Sequence, residues 1–422
     1  MKKVKVLQPS EIAALIKDGE TIATAGFVGS GSPEALSKAL EKRFLETGSP
    51  RDLTYMYAAG QGNRDGSGSD HFAHEGLVKR VIAGHWNMAP RLGQLAMDNK
   101  IEAYNIPQGV ICHMYRDIAA HRVGTVTHVG LHTFADPRIE GCKLNERTTE
   151  DIVEVINILG EERLIFKTRP IDVVFLRATS ADENGNISME REVCPVDATA
   201  MALAAKNSGG RVYVQVERLV KAGTIDPKLV KIPGILVDAV AVADPEDHPQ
   251  SFGHAYDPTL TGEAVAPDTE SEPLPLSAKK IIGRRAAMEL RENSVVNLGI
   301  GAPEYVSAVA NEEGIGDYIT LTVEGGPVGG IPLGGSQFGA SRNADCYFDQ
   351  NVMFDLYDGG GLDQAYLGLA QADENGNVNV SRFGPRIAGC GGFIDITQNA
   401  KRVYFCGTFT AGGLKTSIKD GK

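Results

Sequence analysis

Short apolar runs alternate with amphipathic segments along most of the chain. Glu11-Ile-Ala-Ala-Leu-Ile-Lys17 carries its apolar residues at helical spacing, follows Ser10 as a candidate cap and ends at Asp18-Gly19. The run Thr21-Ile-Ala-Thr-Ala25 then predicts a strand, Gly26-Phe-Val-Gly-Ser-Gly-Ser-Pro33-Glu34 a tight turn, and the residues to about Phe44 a helix. The same succession returns later. Ser277 opens a helix to about Leu290, Ser294-Val-Val-Asn-Leu298 reads as a strand, and Gly299-Ile-Gly301-Ala-Pro303-Glu304 leads into another helix. In both turns proline falls at the first helical position, where its missing N–H costs nothing. Further apolar runs, Val173-Val-Phe-Leu176 and Ala239-Val-Ala-Val242, complete an α/β pattern with largely parallel sheets.

The recurrence extends to local motifs. Ala181-Asp-Glu-Asn-Gly-Asn186 returns as Ala372-Asp-Glu-Asn-Gly-Asn377, and Arg211-Val-Tyr213 as Arg402-Val-Tyr404, both separated by 191 positions. The proline-glutamate turns are 270 apart, so the first copy holds 79 additional residues between about 45 and 180. Two open α/β domains of unequal size follow from this duplication. Prolines and carboxylates cluster from Asp244 to about Leu276 without periodicity, the composition of a surface linker. The expected organisation is a first domain over 1–250, a linker over 251–276 and a second domain over 277–422.

Composition narrows the partners. With 42 basic and 54 acidic residues the net charge is −12, which disfavours a nucleic-acid or anionic-membrane surface. Six scattered cysteines without a C-x-x-C pair read as reduced, mostly buried thiols. No apolar segment follows Met1-Lys2-Lys3-Val4-Lys5, and no run reaches about 18 apolar residues, so a cytoplasmic location is expected. Glycine, 49 of 422 residues, exceeds the average share of about 7% without a collagen period.

The glycines direct attention to candidate chemistry. Strand-to-helix turns expose amides that bind anions, although packing alone also selects them, and neither turn completes the G-x-G-x-x-G of a dinucleotide fold. Turn chemistry accounts for the Asp-Glu-Asn-Gly-Asn copies. Seven of the nine histidines lie between His71 and His132, but His71-x-x-His74 lacks further ligands, so no metal is expected; no G-x-S-x-G elbow occurs. Glu324 is different. It follows the strand Tyr318-Ile-Thr-Leu-Thr322 and precedes six glycines in eleven residues, an open setting for a nucleophilic carboxylate; the alternative is a solvated loop glutamate. With an ordinary pKa of about 4.3 it would be ionised at pH 7 without a base. Ala388-Gly389-Cys390-Gly391-Gly392-Phe393, Tyr357-Asp-Gly359-Gly360-Gly-Leu-Asp363 and Asn105-Ile-Pro-Gln108-Gly109 are either turns or sources of oxyanion donors.

Taken together, these segments resemble the family I coenzyme A transferases, most closely the single-chain propionate (acetate, lactate) type. The family's Gly-Phe-x3-Gly-x-Pro stands as Gly26-Phe27-Val-Gly-Ser-Gly31-Ser-Pro33, with Ala25 where many members have glycine. Val323-Glu324-Gly325-Gly326 replaces the Ser-Glu-Asn-Gly of the succinyl-CoA branch but keeps the glutamate, and the stretches over 324–332 and 388–393 are long matches. The resemblance implies that Glu324 forms an acyl-glutamyl anhydride and then a glutamyl-CoA thioester. It assigns Gln108, Gly109, Gly391 and Gly392 as catalytic donors and Gly299, Gly301, Gly389, Gly359 and Gly360 to CoA binding. Lys279, Lys280, Arg382 and Arg386 are candidates for the CoA phosphates. It further implies acyl-CoA and short-chain carboxylates as substrates, no permanently bound cofactor, and a homotetramer. Relatives of this type continue beyond Asp420-Gly-Lys422, so a second half shortened at its end is expected. An acyl-CoA hydrolase on the same scaffold and a non-catalytic ligand-binding module are the competing readings.

Overall fold

The computed structural model describes residues 3–267, 273–384 and 386–408. Two mainly parallel sheets organise it, one of ten strands in the first half and one of six in the second. In the first, Arg211–Val220, Val173–Asp182, Thr21–Thr24 and Leu53–Tyr57 lie side by side, all parallel. In the second, Val403–Phe405, Gln364–Leu367, Ser294–Leu298 and Ile319–Thr322 follow the same order, again all parallel. The sequence repeat is therefore a repeat of topology. Its hairpins match as well: Asp182 Oδ1 accepts the amides of Asn184 and Asn186 at 2.9 Å, and Asp373 Oδ1 accepts those of Asn375 at 2.9 Å and Asn377 at 2.8 Å.

The additional residues of the first half extend its sheet with the parallel strands Val78–Ala83 and Glu102–Asn105. They also form a separate antiparallel sheet of Gly124–Thr127, Glu161–Lys167 and Val153–Ile158, an element that the parallel pattern did not predict. The first helix differs in its start. It runs Pro9–Ala14 with Gln8 as its N-cap, because Glu11 reaches back to the Gln8 amide at 2.7 Å and leaves Ser10 inside the helix. Ser277 does cap its helix, accepting the Lys280 amide at 3.2 Å, and that helix ends at Ala287.

Residues 251–267 lie along the protein surface as a packed strap. The Phe252 amide donates to Gly29 O at 2.9 Å, and Asn343 brackets Ala266 through two hydrogen bonds of 2.8 and 3.1 Å. Residues 268–272 of the expected linker, and Asp420-Gly-Lys422, lie outside the described residues.

One apolar core runs through both halves. Val110 and Met114 on the helix Gln108–Ala119 share it with Met353 and Phe354 on Gln350–Asp358 and with Ile394 on Phe393–Asn399. Polar contacts at the same boundary include Arg116 with Asp355 at 2.6 Å, His128 Nε2 with Asn399 Oδ1 at 2.6 Å, and Lys231 with Asp349. All six cysteines are free; five are buried and Cys346 is exposed. No helix among the described residues is long and apolar enough to cross a membrane.

Candidate active site

Glu324 stands in a tight turn just after the strand Ile319–Thr322, closed by the Gly326 amide donating to Val323 O at 2.9 Å. The strand end is fixed from behind. Tyr357 donates its hydroxyl to Thr322 Oγ1 at 2.9 Å, and Asn297 Nδ2 donates to that hydroxyl oxygen at 3.2 Å. The first half approaches through Gln108, whose Nε2 donates to Glu324 Oε2 at 3.2 Å. Gly392 closes the opposite side: a Cβ there would stand 2.6 Å from Glu324 Oε2, so only glycine leaves the carboxylate its place.

The loop carrying Gly389, Gly391 and Gly392 is stitched to the first half. Gln108 N donates to Gly391 O at 2.9 Å, Gly391 N to Gly84 O at 2.8 Å, and Trp86 N to Ala388 O at 2.8 Å. Asn105 directs the joint, accepting the Cys390 amide at 3.0 Å while its Nδ2 donates to Gly84 O at 2.7 Å. Glu324 thus faces a cavity of about 310 Å³ whose walls come from both halves. Phe27 and Phe338, stacked with ring centres 5.9 Å apart, supply part of its apolar wall, and Arg64, His85 and Asn87 also line it.

Burial pushes the Glu324 carboxyl up to about 7, with the Gln108 side chain and the Gly392 amide acting in the opposite direction. This corrects the expectation of an ordinary, fully ionised glutamate. At neutral pH about half of the groups hold a proton. Asp395 is pushed far up by its own burial and by the neighbouring Asp358 charge.

The structure brings together Glu324, Gln108, Gly391, Gly392, Gly389 and Gly299 around the cavity. Gly109 is not among them: it packs beneath Gln108 against Asp395 and Phe354. Gly301 closes its own turn, its amide donating to Glu304 Oε1 at 2.9 Å. Gly359 and Gly360 terminate the helix Gln350–Asp358, with amides donating to Asp355 O at 3.1 Å and Tyr357 O at 3.0 Å, away from the cavity. These four glycines shape turns and packing.

Among the basic candidates, Lys280 is committed elsewhere, its buried ammonium paired with Glu312 at 2.7 Å. Lys279 lies over the Tyr305 ring at 5.6 Å, and Arg382 donates to Leu144 O at 3.1 Å. Arg386 lies behind two residues of the cavity wall, donating to Asn87 and lying 5.7 Å from the Phe383 ring. Sequence reasoning missed Arg64 and His85. The available signals were a lone arginine inside Gly60-Gln-Gly-Asn-Arg64-Asp-Gly, and a histidine two residues beyond the end of the strand Val78–Ala83. The His71-x-x-His74 pair sits apart from the cavity, held by Glu34 and Glu41.

Comparison with known proteins gives a consistent answer. The family model described as Coenzyme A transferase matches residues 6–243. The caffeate CoA-transferase of Acetobacterium woodii is 46% identical over 424 residues, covering 99% of this chain and 81% of the relative. The acetate CoA-transferase YdiF of Escherichia coli K12 is 44% identical over 423 residues, covering 100% of this chain and 79% of the relative. The solved structure of acyl-CoA transferase YdiF from Escherichia coli O157:H7, a thioester complex with CoA, has a TM-score of 0.90 and 41% identity, covering 100% of this chain and 79% of that one.

Proposed function

The chain belongs to the family I coenzyme A transferases, and from that premise we propose that it exchanges CoA between short-chain acyl-CoA and free carboxylates through covalent intermediates on Glu324. As a member of that family the enzyme transfers CoA, and acyl-CoA is its substrate. In the proposed cycle an Oε of ionised Glu324 attacks the thioester carbonyl, the C–S bond breaks with its electron pair on sulfur, and an acyl-glutamyl anhydride remains. The thiolate then attacks the Glu324 carbonyl carbon, expelling the first carboxylate and leaving a glutamyl-CoA thioester. A second carboxylate runs the two steps in reverse.

One observation carries this reading: a half-buried carboxylate, touched by the Gln108 amide and walled by Gly392, in a cavity with an apolar side. The Gln108 Nε2 and the amide of Gly392 are the donors for charge that develops on the attacked oxygens, each worth roughly 3–4 kcal/mol of barrier, while the Gly391 amide donates to Gly84 O and holds the loop in place. Exclusion of water by Phe27 and Phe338 protects the anhydride from hydrolysis. Acetate, the carboxylate in the name of one relative, forms the acceptor class in this reading together with propionate and lactate. Arg64 in the cavity wall, and Arg386 held against the lining residues Asn87 and Phe383, are the groups assigned to the CoA phosphates. A homotetramer, resting on the family resemblance, and the cytoplasmic location expected from the sequence complete the proposal.

The test is kinetic. Acetyl-CoA consumption is expected to require added propionate and to yield propionyl-CoA in equal amount, and Glu324→Gln should lower the rate at least 10³-fold, an order set by losing a covalent nucleophile. Consumption independent of the acceptor would instead identify a hydrolase.

A further inference from the structure

His85 lines the same cavity as Glu324 and has no role in the cycle above. From the point where a Gly391 Cβ would stand, Gln108 Oε1 and His85 Cδ2 are both 3.6 Å away, so the imidazole and the Gln108 side chain border the same glycine of the cavity wall. Its Nδ1 is buried against Gly60 without a hydrogen-bond partner among the described residues. A buried lone pair without a partner is tolerated better than a buried N–H without one, which places the proton on Nε2. Burial, then the charges of Arg64 and Arg386, hold the ring down to about 4, so it is uncharged throughout the neutral range. Arg64 lines the cavity together with His85, and Phe27 and Phe338 supply an apolar part of its wall.

Both half-reactions need a sulfur that accepts an electron pair yet remains a thiolate, because it must attack again. A cationic donor would protonate it. The N–H of an uncharged imidazole donates a hydrogen bond but is too weak an acid to transfer the proton. We propose that His85 is a catalytic residue whose Nε2–H holds the CoA thiolate formed when the thioester C–S bond breaks. The proposal rests on the Glu324 cycle. In the step concerned, the C–S pair moves to sulfur, the O–C bond of the anhydride forms, and no proton changes place.

The test compares acetyl-CoA with an acetyl thioester of a more acidic aryl thiol, whose thiolate needs no donor, in the wild type, His85→Ala and His85→Gln. His85→Ala is expected to lower kcat/KM for acetyl-CoA by roughly 10²-fold, mostly in kcat. The loss should shrink below about fivefold on the aryl thioester, and His85→Gln, which keeps an N–H donor, should recover part of it. The wild type itself should depend only weakly on thiol acidity, a readout that needs no variant. An equal penalty on both leaving groups, no penalty, or a steep wild-type dependence on thiol acidity overturns the role of His85. Borohydride labelling of Glu324 in the wild type separates the two readings: with Glu324 labelled and the penalty insensitive to the thiol, only the His85 proposal falls.

Discussion

Glu324 must lose its proton before it attacks, and its surroundings make that loss cost more than it does in water. With a carboxyl raised to about 7 by burial, the free enzyme carries the reactive form in about half of its molecules at neutral pH. The kcat/KM for acyl-CoA should therefore rise about tenfold per pH unit below 7 and level off above it, since that parameter reports the free enzyme. A profile flat between about pH 5.5 and 8 would contradict the raised value. The sign for stability is the reverse of a salt-bridged carboxylate. The folded state holds the proton longer than the unfolded chain, so Glu324 weakens folding as pH rises from about 4.3 through 7, and Glu324→Gln should raise Tm at pH 8 but not at pH 4. The identity of Glu324 was readable because a lone carboxylate among glycines is chemically distinctive. Its pKa was not, because the burial that raises it, and the Gln108 and Gly392 donors that oppose the rise, come from residues far from it in sequence. His85 and Arg64 were invisible for the same reason: nothing adjacent to them along the chain tells which cavity they reach.

At the scale of elements, the Pro33-Glu34 turn shows how one local feature serves stability. Glu34 begins the helix Glu34–Thr47, and His71 lies buried between Glu34 at 2.7 Å and Glu41 at 2.6 Å. Burial lowers the His71 pKa, but hydrogen bonds and charges from the two glutamates reverse this and raise it to about 9. Because the unfolded value is about 6.5, this stabilisation is fully present below about 6.5 and is lost as pH rises through about 9. His71→Ala, which leaves a buried Glu34 unpaired, should cost roughly 3 kcal/mol at pH 6. The gap to the wild type in chemical denaturation should narrow by pH 10, whereas a gap constant across that range would mean that packing alone is lost. The histidine pair thus serves the helix, an outcome that spacing alone left open. Elements with strong local signals, such as the Asp-Glu-Asn-Gly-Asn hairpins and the Ser277 cap, match between sequence and structure. The antiparallel sheet over 124–167 did not announce itself: Val153–Ile158 and Glu161–Lys167 form a local hairpin across Leu159-Gly160, but the turn puts a leucine at positive φ instead of the asparagine or aspartate that signals such turns in a sequence.

For the whole molecule, the duplicated topology explains why the site needs both copies. Each sheet ends its strands in a glycine turn, and the second copy contributes the carboxylate while the first contributes Gln108, Asn105 and the Gly84–Trp86 segment that fixes the loop at 388–392. A shared core through Met114, Phe354 and Ile394 holds these parts in register. A sequence repeat reveals that two similar halves exist; their meeting at Glu324 depends on which faces are apolar, and that is decided by packing.

The central claim is that Glu324 becomes covalently attached during CoA transfer. Incubation with acetyl-CoA followed by borohydride reduction and peptide mass spectrometry tests it most directly. Conversion of the Glu324 side chain to the corresponding alcohol, dependent on acetyl-CoA and absent in Glu324→Gln, is the predicted result. An active preparation in which the Glu324 peptide stays unmodified would contradict the account.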